Sequence, residues 1–250
     1  WIGLVGSEMC IRDRLNGGKL CMYDDSLILD ASRLKMLFAM EQVTTIWLTS
    51  ALFNQLVDTD ISLFSNIKQL LVGGDVVSLV HTGKVLEAYP AIHVVNGYGP
   101  TENTTFSATY HIAEPSEFRF PIGKPINNST CYVLDDQLNL LPPGAYGELC
   151  VGGDGVALGY IKRPDLNEQV FVDNPFEPGN RLYRTGDIVR WLPDGNIDLQ
   201  GRKDFQHKIR GFRIELGEIE WAINRIEGVT ESIVMVLSLI HISEPTRPIH

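Results

Sequence analysis

The sequence predicts an α/β fold with a parallel sheet, followed by a smaller β-rich region. Three observations predict it. Between residues 30 and 95, short β-branched runs alternate with segments of helical period, the pattern of strands joined by helical crossovers. After Thr104 the strand candidates become short and turn-separated. Two glycine-bearing segments, 73–75 and 96–102, fall at the carboxyl ends of strands, on the edge where α/β sheets bind ligands.

Taken in order, Lys19 to Tyr23 is a short strand candidate. Asp30 can cap a helix that places Leu34, Leu37 and Phe38 on one face. Val43 to Thr49 is β-branched and reads as a buried strand, with Thr45, Trp47 and Thr49 on one face. Ser50 to Val57 reads as a short helix. Ile67 to Val72 reads as a strand that ends in Gly73-Gly74-Asp75, and Ser78 to Tyr89 as a helix. Ala91 to Val95 is a strand leading into Asn96-Gly97-Tyr98-Gly99-Pro100-Thr101-Glu102. Two glycines and a proline in those seven residues predict a tight loop in place of either regular element. Further strands are expected at Thr104 to Ile112, Thr130 to Leu134, Glu148 to Val151 and Asp187 to Trp191. Leu192-Pro193-Asp194-Gly195 marks a turn into Asn196 to Gln200. Glu215 to Ile226 returns to helix, with Leu216, Ile219, Ile223 and Ile226 on one face.

Composition narrows the class. The 250 residues allow one large domain, or one domain with part of another, and 44% apolar and 9% aromatic residues suffice for a packed core. No apolar run reaches the ~18 residues of a membrane span, so no membrane partner is expected. A formal charge of −10 argues against a nucleic-acid backbone as partner. Cys10, Cys21, Cys131 and Cys150 form no CxxC pair and no metal-ligand spacing, so a reduced, cytoplasmic protein is expected. Residues 1–14 (with SEMCIRDR) and 238–250 (SLIHISEPTRPIH) resemble translated sequencing-adapter read-through and are set aside from fold reasoning.

The segment 96–102 carries the chemistry. Tyr98 can stack on a base and Asn96 can hydrogen-bond its edge. Thr101 can reach a phosphate, and Glu102 can hold Mg²⁺, which favours one or two carboxylates plus phosphate oxygens. An ordinary Gly-Pro surface turn is the competing reading. In Tyr183-Arg184-Thr185-Gly186-Asp187 the aspartate stands at the start of a predicted strand, where it can accept from both ribose hydroxyls; a structural turn competes here too. Gly201 to Glu220 concentrates six basic residues before Glu215, a local positive patch in an acidic chain. The glycines of Gly147-Glu148-Leu149-Cys150-Val151-Gly152-Gly153, and of the run through Tyr160, read as tight β packing. His81, His93 and His111 show no ligand spacing.

These four motifs, in this order, resemble the adenylate-forming enzymes, and most closely the adenylation domains of nonribosomal peptide synthetases. The resemblance spans about 15–237 and departs from the family pattern at Leu158, usually arginine, and His207, usually valine. It implies a parallel-sheet subdomain (15–112) and a β-rich subdomain (113–203) of the large domain, then the start of a small C-terminal α+β domain (204–237). Asp204 would be the hinge. It implies attack of an amino acid's carboxylate on the α-phosphate of ATP, giving aminoacyl-AMP, then transfer to the phosphopantetheine of a peptidyl carrier protein. A condensation domain would be its neighbour. By motif, Asn96 and Tyr98 would hold adenine with Gly74 and Asp75 beside it, Asp187 and Arg202 would hold ribose, and Thr101 and Glu102 would be catalytic, Glu102 through Mg²⁺. Trp47, Leu71, Gly73, Gly97, Thr105 and Phe106 would line the substrate pocket, in an order similar to the valine-type pattern. No counterpart of the family's phosphate loop, α-amino aspartate or C-terminal catalytic lysine occurs between 15 and 237. The chain therefore reads as an internal fragment, not expected to catalyse alone. An acyl-CoA synthetase or luciferase-like ligase is the alternative within the superfamily, and a non-catalytic nucleotide-binding module the alternative outside it.

Overall fold

The computed structural model describes residues 17–21, 30–203, 206–209, 212–226, 229 and 232–235. The chain divides into two units, Trp1–Lys203 and Asp204–His250. The adapter-like segments and the expected hinge residue Asp204 lie outside the described residues.

In the first unit a sheet forms in the order β1 (Thr45–Thr49), β2 (Gln69–Gly73), β3 (His93–Tyr98), β4 (Ala108–Ile112), β5 (Lys124–Pro125). β1, β2 and β3 are parallel, whereas β4 and β5 are antiparallel. Helix α1 (Ala31–Met40) precedes β1, α2 (Ser50–Asp60) joins β1 to β2, and α3 (Leu79–Ala88) joins β2 to β3. Each helix begins where a side-chain oxygen takes an otherwise orphan amide: Asp30 accepts from Arg33 N, Thr49 from Leu52 N and Ser78 from His81 N. The main core fills one face of this sheet. It joins Ile46, Leu48, Leu70, Val72, Val94 and Ile112 of the strands to Leu34, Phe38, Phe53, Val57 and Val85 of the helices.

The second sheet is antiparallel, in the order β10 (Ile197–Arg202), β9 (Arg181–Trp191), β7 (Gly147–Gly153), β6 (Ser129–Leu134), with β8 (Phe171–Asp173) also on β9. A short helix α4 (Pro164–Val170) leads into β8. Its core includes Leu149, Val151, Tyr183, Val189 and Ile197, and Tyr98 and Ala108 of the first sheet belong to the same cluster. In the second unit, β11 (Gln206–Ile209) and β12 (Phe212–Glu215) form an antiparallel hairpin followed by α5 (Leu216–Ile223).

The expected elements are present, with corrections. Lys19 to Cys21 form no strand, and Met22 and Tyr23 lie outside the described residues. Asn96, Gly97 and Tyr98 continue β3: Asn96 and Gly97 pair on both sides, with β2 and with β4, and Tyr98 pairs with β4; the loop starts at Gly99. β4 starts at Ala108, not Thr104. Thr104 and Thr105 take left-handed φ of 47° and 68°, turning the chain back so that Ser107 N donates to Tyr98 O at 2.8 Å. Tyr183 to Gly186 lie within β9, not before it, and the strand expected from Asp187 starts at Arg181. The expected apolar face of α5 is open at Ile219 and, beyond the helix end, at Ile226.

Leu70 is fully buried in the main core. Leu70→Ala is expected to cost about 2–5 kcal/mol, the range for deleting a buried leucine side chain. Urea unfolding of the chain checks it, through a lower midpoint at unchanged slope.

Candidate functional site

β3 carries the first half of the site. Val94, Asn96 and Tyr98 share one face of the strand and Gly97 the other. Asn96 is buried, and its Nδ2 donates to Pro121 O at 2.9 Å. Tyr98, also buried, donates its phenol to Asp187 Oδ2 across the two sheets. Beyond Gly99, a 3₁₀ turn (Thr101–Asn103) leaves Thr101 exposed and Glu102 buried. Glu102 is held twice: Tyr160 donates to its Oε1, and its carbonyl accepts from Ala157 N at 2.8 Å.

β9 carries the second half. Tyr183, Thr185 and Asp187 are buried at alternate positions. The Tyr183 hydroxyl lies 3.5 Å from that of Tyr160, so one end of this row meets the Glu102 side of the motif and the other end meets Tyr98. Around Asp187 the ladders are irregular. On β7 the register slips between Glu148, opposite Ile188, and Cys150, opposite Arg184. Thr185 bridges the gap: its hydroxyl donates to Leu149 O at 2.7 Å and accepts from Asp187 N at 3.0 Å. On β10 the register slips between Leu199 and Gly201. Without that extra residue Gly201 would face Asp187. With it Arg202 does, and Arg202 Nη1 reaches Asp187 Oδ1 at 3.0 Å. A bulge that re-aims a side chain in this way is a recurrent device beside functional sites.

Gly74 (φ 80°) and Asp75 leave β2 beside the end of β3, since Gly73 pairs with Gly97. Asp75 is exposed, and its Oδ1 accepts from Val76 N at 2.7 Å. Ser50 at the start of α2 donates to Asp75 O at 2.9 Å, which holds this turn to the sheet.

The expected pocket residues lie mostly together. Trp47 pairs with Leu71, and Gly73 with Gly97, all on the sheet face opposite the main core. The Phe106 ring stands over Gly97, where a Cβ would come within 2.4 Å of it, and meets the Trp47 ring edge-on at 6.3 Å between centroids. A Cβ on Gly73 would come within 2.2 Å of Gly97 O, so both positions require glycine. Thr105 sits half-buried in the left-handed pair before Phe106.

Sequence reasoning passed over Tyr160, Glu148 and Thr185 as site residues. All three lie inside the motifs, and a buried tyrosine or glutamate within a glycine-rich strand motif was the available signal. Among the described residues no group of three or more His, Cys, Asp or Glu side chains could hold a metal. A single buried carboxylate beside an exposed threonine suits Mg²⁺ shared with substrate phosphates, not an all-protein cage. No helix among the described residues is long and apolar enough to cross a membrane.

Burial, then the Asp187 charge and hydrogen bond, raise the Tyr98 phenol well above its ordinary 10.0. Burial, then the hydrogen bond to Glu102, raise Tyr160 in the same direction. Both phenols are therefore protonated donors at neutral pH. A folded pKa above the unfolded one means that their stabilisation is intact below about pH 10 and is lost as pH rises through the folded values. Ultraviolet titration of tyrosinate should show Tyr98 and Tyr160 among the tyrosines that resist ionisation at pH 11, and Tyr98→Phe should lower the number of resistant tyrosines by one.

A protein-family model described as AMP-binding enzyme matches residues 14–161, more than half of the chain. Surfactin synthase subunit 2 of Bacillus subtilis (strain 168) is 51% identical over 222 residues, covering 89% of this chain and 6% of its own length. Tyrocidine synthase 3 of Brevibacillus parabrevis is 50% identical over 223 residues, covering 89% and 3%. A solved nonribosomal peptide synthetase protein containing adenylation and PCP domains, bound to a vinylsulfonamide inhibitor, superposes with a TM-score of 0.78 at 35% identity. That match covers 87% of this chain and 38% of the other. The chain thus spans under a tenth of these curated relatives.

Proposed function

We propose, from the premise that this chain belongs to the AMP-binding enzyme family, that it is the nucleotide-binding part of an amino-acid-activating ligase. The reaction is attack of an amino acid's carboxylate on the α-phosphate of ATP, giving aminoacyl-AMP and pyrophosphate, followed by transfer to the phosphopantetheine thiol of a carrier protein. The observation that carries it is the junction of the two sheets, where Tyr98, Asp187 and Arg202 meet by hydrogen bonds and Glu102 is anchored by Tyr160.

In this reading Asp187 and Arg202 bind ribose, and Asn96 and Tyr98 hold adenine with Gly74 and Asp75 beside it. The Tyr98–Asp187 hydrogen bond makes one buried unit of the base and ribose contacts. Thr101, exposed at the start of the 3₁₀ turn, touches phosphate. Glu102 would hold Mg²⁺, which supplies positive charge to the phosphates when bound. The catalytic roles of Thr101 and Glu102 are thus positioning and charge stabilisation, the two needs of phosphoryl-group chemistry. Asp204 serves as a hinge, a reading that the division of the chain after Lys203 supports.

The substrate is a small branched aliphatic amino acid, valine first. Trp47, Leu71 and Phe106 present apolar walls, and Gly73 and Gly97 leave space only beside backbone. Isoleucine competes closely, because one methylene discriminates by only ~1–3 kcal/mol. The PCP domain beside the adenylation domain in the solved neighbour, a nonribosomal peptide synthetase protein, supports a carrier-protein partner.

ATP–pyrophosphate exchange by the full-length protein that carries this segment, run across the proteinogenic amino acids, tests the reading. Valine or a valine–isoleucine mixture is expected; preference for a charged or large aromatic amino acid contradicts the pocket. Glu102→Gln should lower turnover and shift the magnesium titration to higher concentration. An unchanged magnesium curve would remove Glu102 from the metal site.

A further inference from the structure

We propose that Glu148 is a positioning residue for nucleotide recognition: with Arg184 it clamps the β9 bulge before Asp187, and so sets the site's selectivity for ribose hydroxyls. The proposal rests on the reading of Asp187 as the ribose ligand.

Glu148 lies on β7, two residues into the strand, and its side chain is 9% exposed. One carboxylate oxygen, Oε2, accepts from Arg184 Nη2 at 2.6 Å and Nε at 3.2 Å. The other, Oε1, accepts from the backbone N–H of Gly186 at 3.2 Å. A single carboxylate therefore holds the residues at 184 and 186, on either side of Thr185, within the register slip. Gly186 has φ 74°, a conformation that glycine adopts without the penalty of a Cβ, so the bulge has no side chain of its own to brace it. Lys203 N closes the opposite side by donating to Gly186 O at 2.8 Å. The next residue is Asp187, whose direction follows from where this bulge releases the chain.

The hydrogen bonds are charge-assisted, and the Arg184 fork makes two of them to one oxygen. Glutamine at 148 can still offer an oxygen to Gly186 N, but presents no charge to Arg184. Lysine at 184 keeps the charge and loses the fork. Either change loosens the bulge without touching a group that meets the nucleotide. Glu148 is not itself offered to the nucleotide, since its two oxygens are engaged with Arg184 and Gly186.

A merely structural ion pair would lower affinity for any adenine nucleotide alike. A positioning residue for Asp187 affects only the part of binding that depends on ribose hydroxyls. Dissociation constants for ATP and 2′,3′-dideoxy-ATP, measured by calorimetry on the full-length protein carrying this segment, separate the two. Glu148→Gln is expected to weaken ATP binding by roughly fivefold, the scale of one hydrogen bond, with 2′,3′-dideoxy-ATP, which lacks both ribose hydroxyls, changed far less. Arg184→Lys should act in the same direction to a smaller extent, and carries the test should Glu148→Gln fail to fold. Equal weakening for both nucleotides, or none for either, in a variant with an unaltered near-ultraviolet circular dichroism spectrum overturns the role of Glu148. Asp187→Ala reports on the underlying reading. Loss of the ATP preference upholds ribose binding, and a preference kept in Asp187→Ala overturns it whatever the Glu148 variants do.

Discussion

Asp187 puts a carboxylate, 8% exposed, at the place where the two sheets of the first unit meet. Burying an unpaired charge costs several kcal/mol. Here each oxygen has a donor, Oδ1 from Arg202 and Oδ2 from Tyr98. The donors come from different sheets, so satisfying the charge requires β3 and the β9–β10 pair to sit at a fixed separation. Removing either donor leaves a buried carboxylate short of a partner, which makes this cluster a strong constraint on how the sheets dock.

The rest of the site follows from that constraint. Tyr98 belongs to the apolar cluster of the second sheet although it stands on a strand of the first. Its ring contributes packing while its hydroxyl contributes the polar contact. Four residues before Asp187 on the same strand, Tyr183 touches Tyr160, and Tyr160 grips Glu102. β9 thereby holds both halves of the 96–102 motif, the tyrosine directly and the glutamate through a second tyrosine. The stiffness of an eleven-residue strand, paired with β7, β8 and β10, transmits one geometry to both.

Much of this was legible in the sequence, for reasons that particular residues show. The alternation of Val43–Thr49, Ile67–Val72 and Ala91–Val95 with segments of helical period pointed to parallel strands joined by helices, because period is a local property. Gly73 and Gly97 were legible as special, and each is required by a neighbour closer than a Cβ tolerates. The extent of strand was not legible at two places. Asn96 to Tyr98 look like loop by composition, but pairing with β4, and for Asn96 and Gly97 also with β2, holds them as strand. Tyr183 to Asp187 look like a turn because of Thr185-Gly186-Asp187, and Gly186 does take a positive φ, yet the strand passes through it as a bulge. The Arg202–Asp187 contact was hidden for a similar reason. Counting back from the Trp191–Ile197 pair beside the turn puts Gly201 opposite Asp187, and only the extra residue after Leu199 brings Arg202 opposite. Bulges are tertiary outcomes, and a single sequence does not announce them.

The central claim is that Tyr98 and Asp187 are energetically coupled across the sheet junction. A double-mutant cycle on the unfolding free energy of the chain, with Tyr98→Phe, Asp187→Ala and the pair combined, measures that coupling directly. A coupling of roughly 1.5–3 kcal/mol is predicted, the range for a hydrogen bond to a charged group. Additive effects, within about 0.3–0.5 kcal/mol, would contradict it.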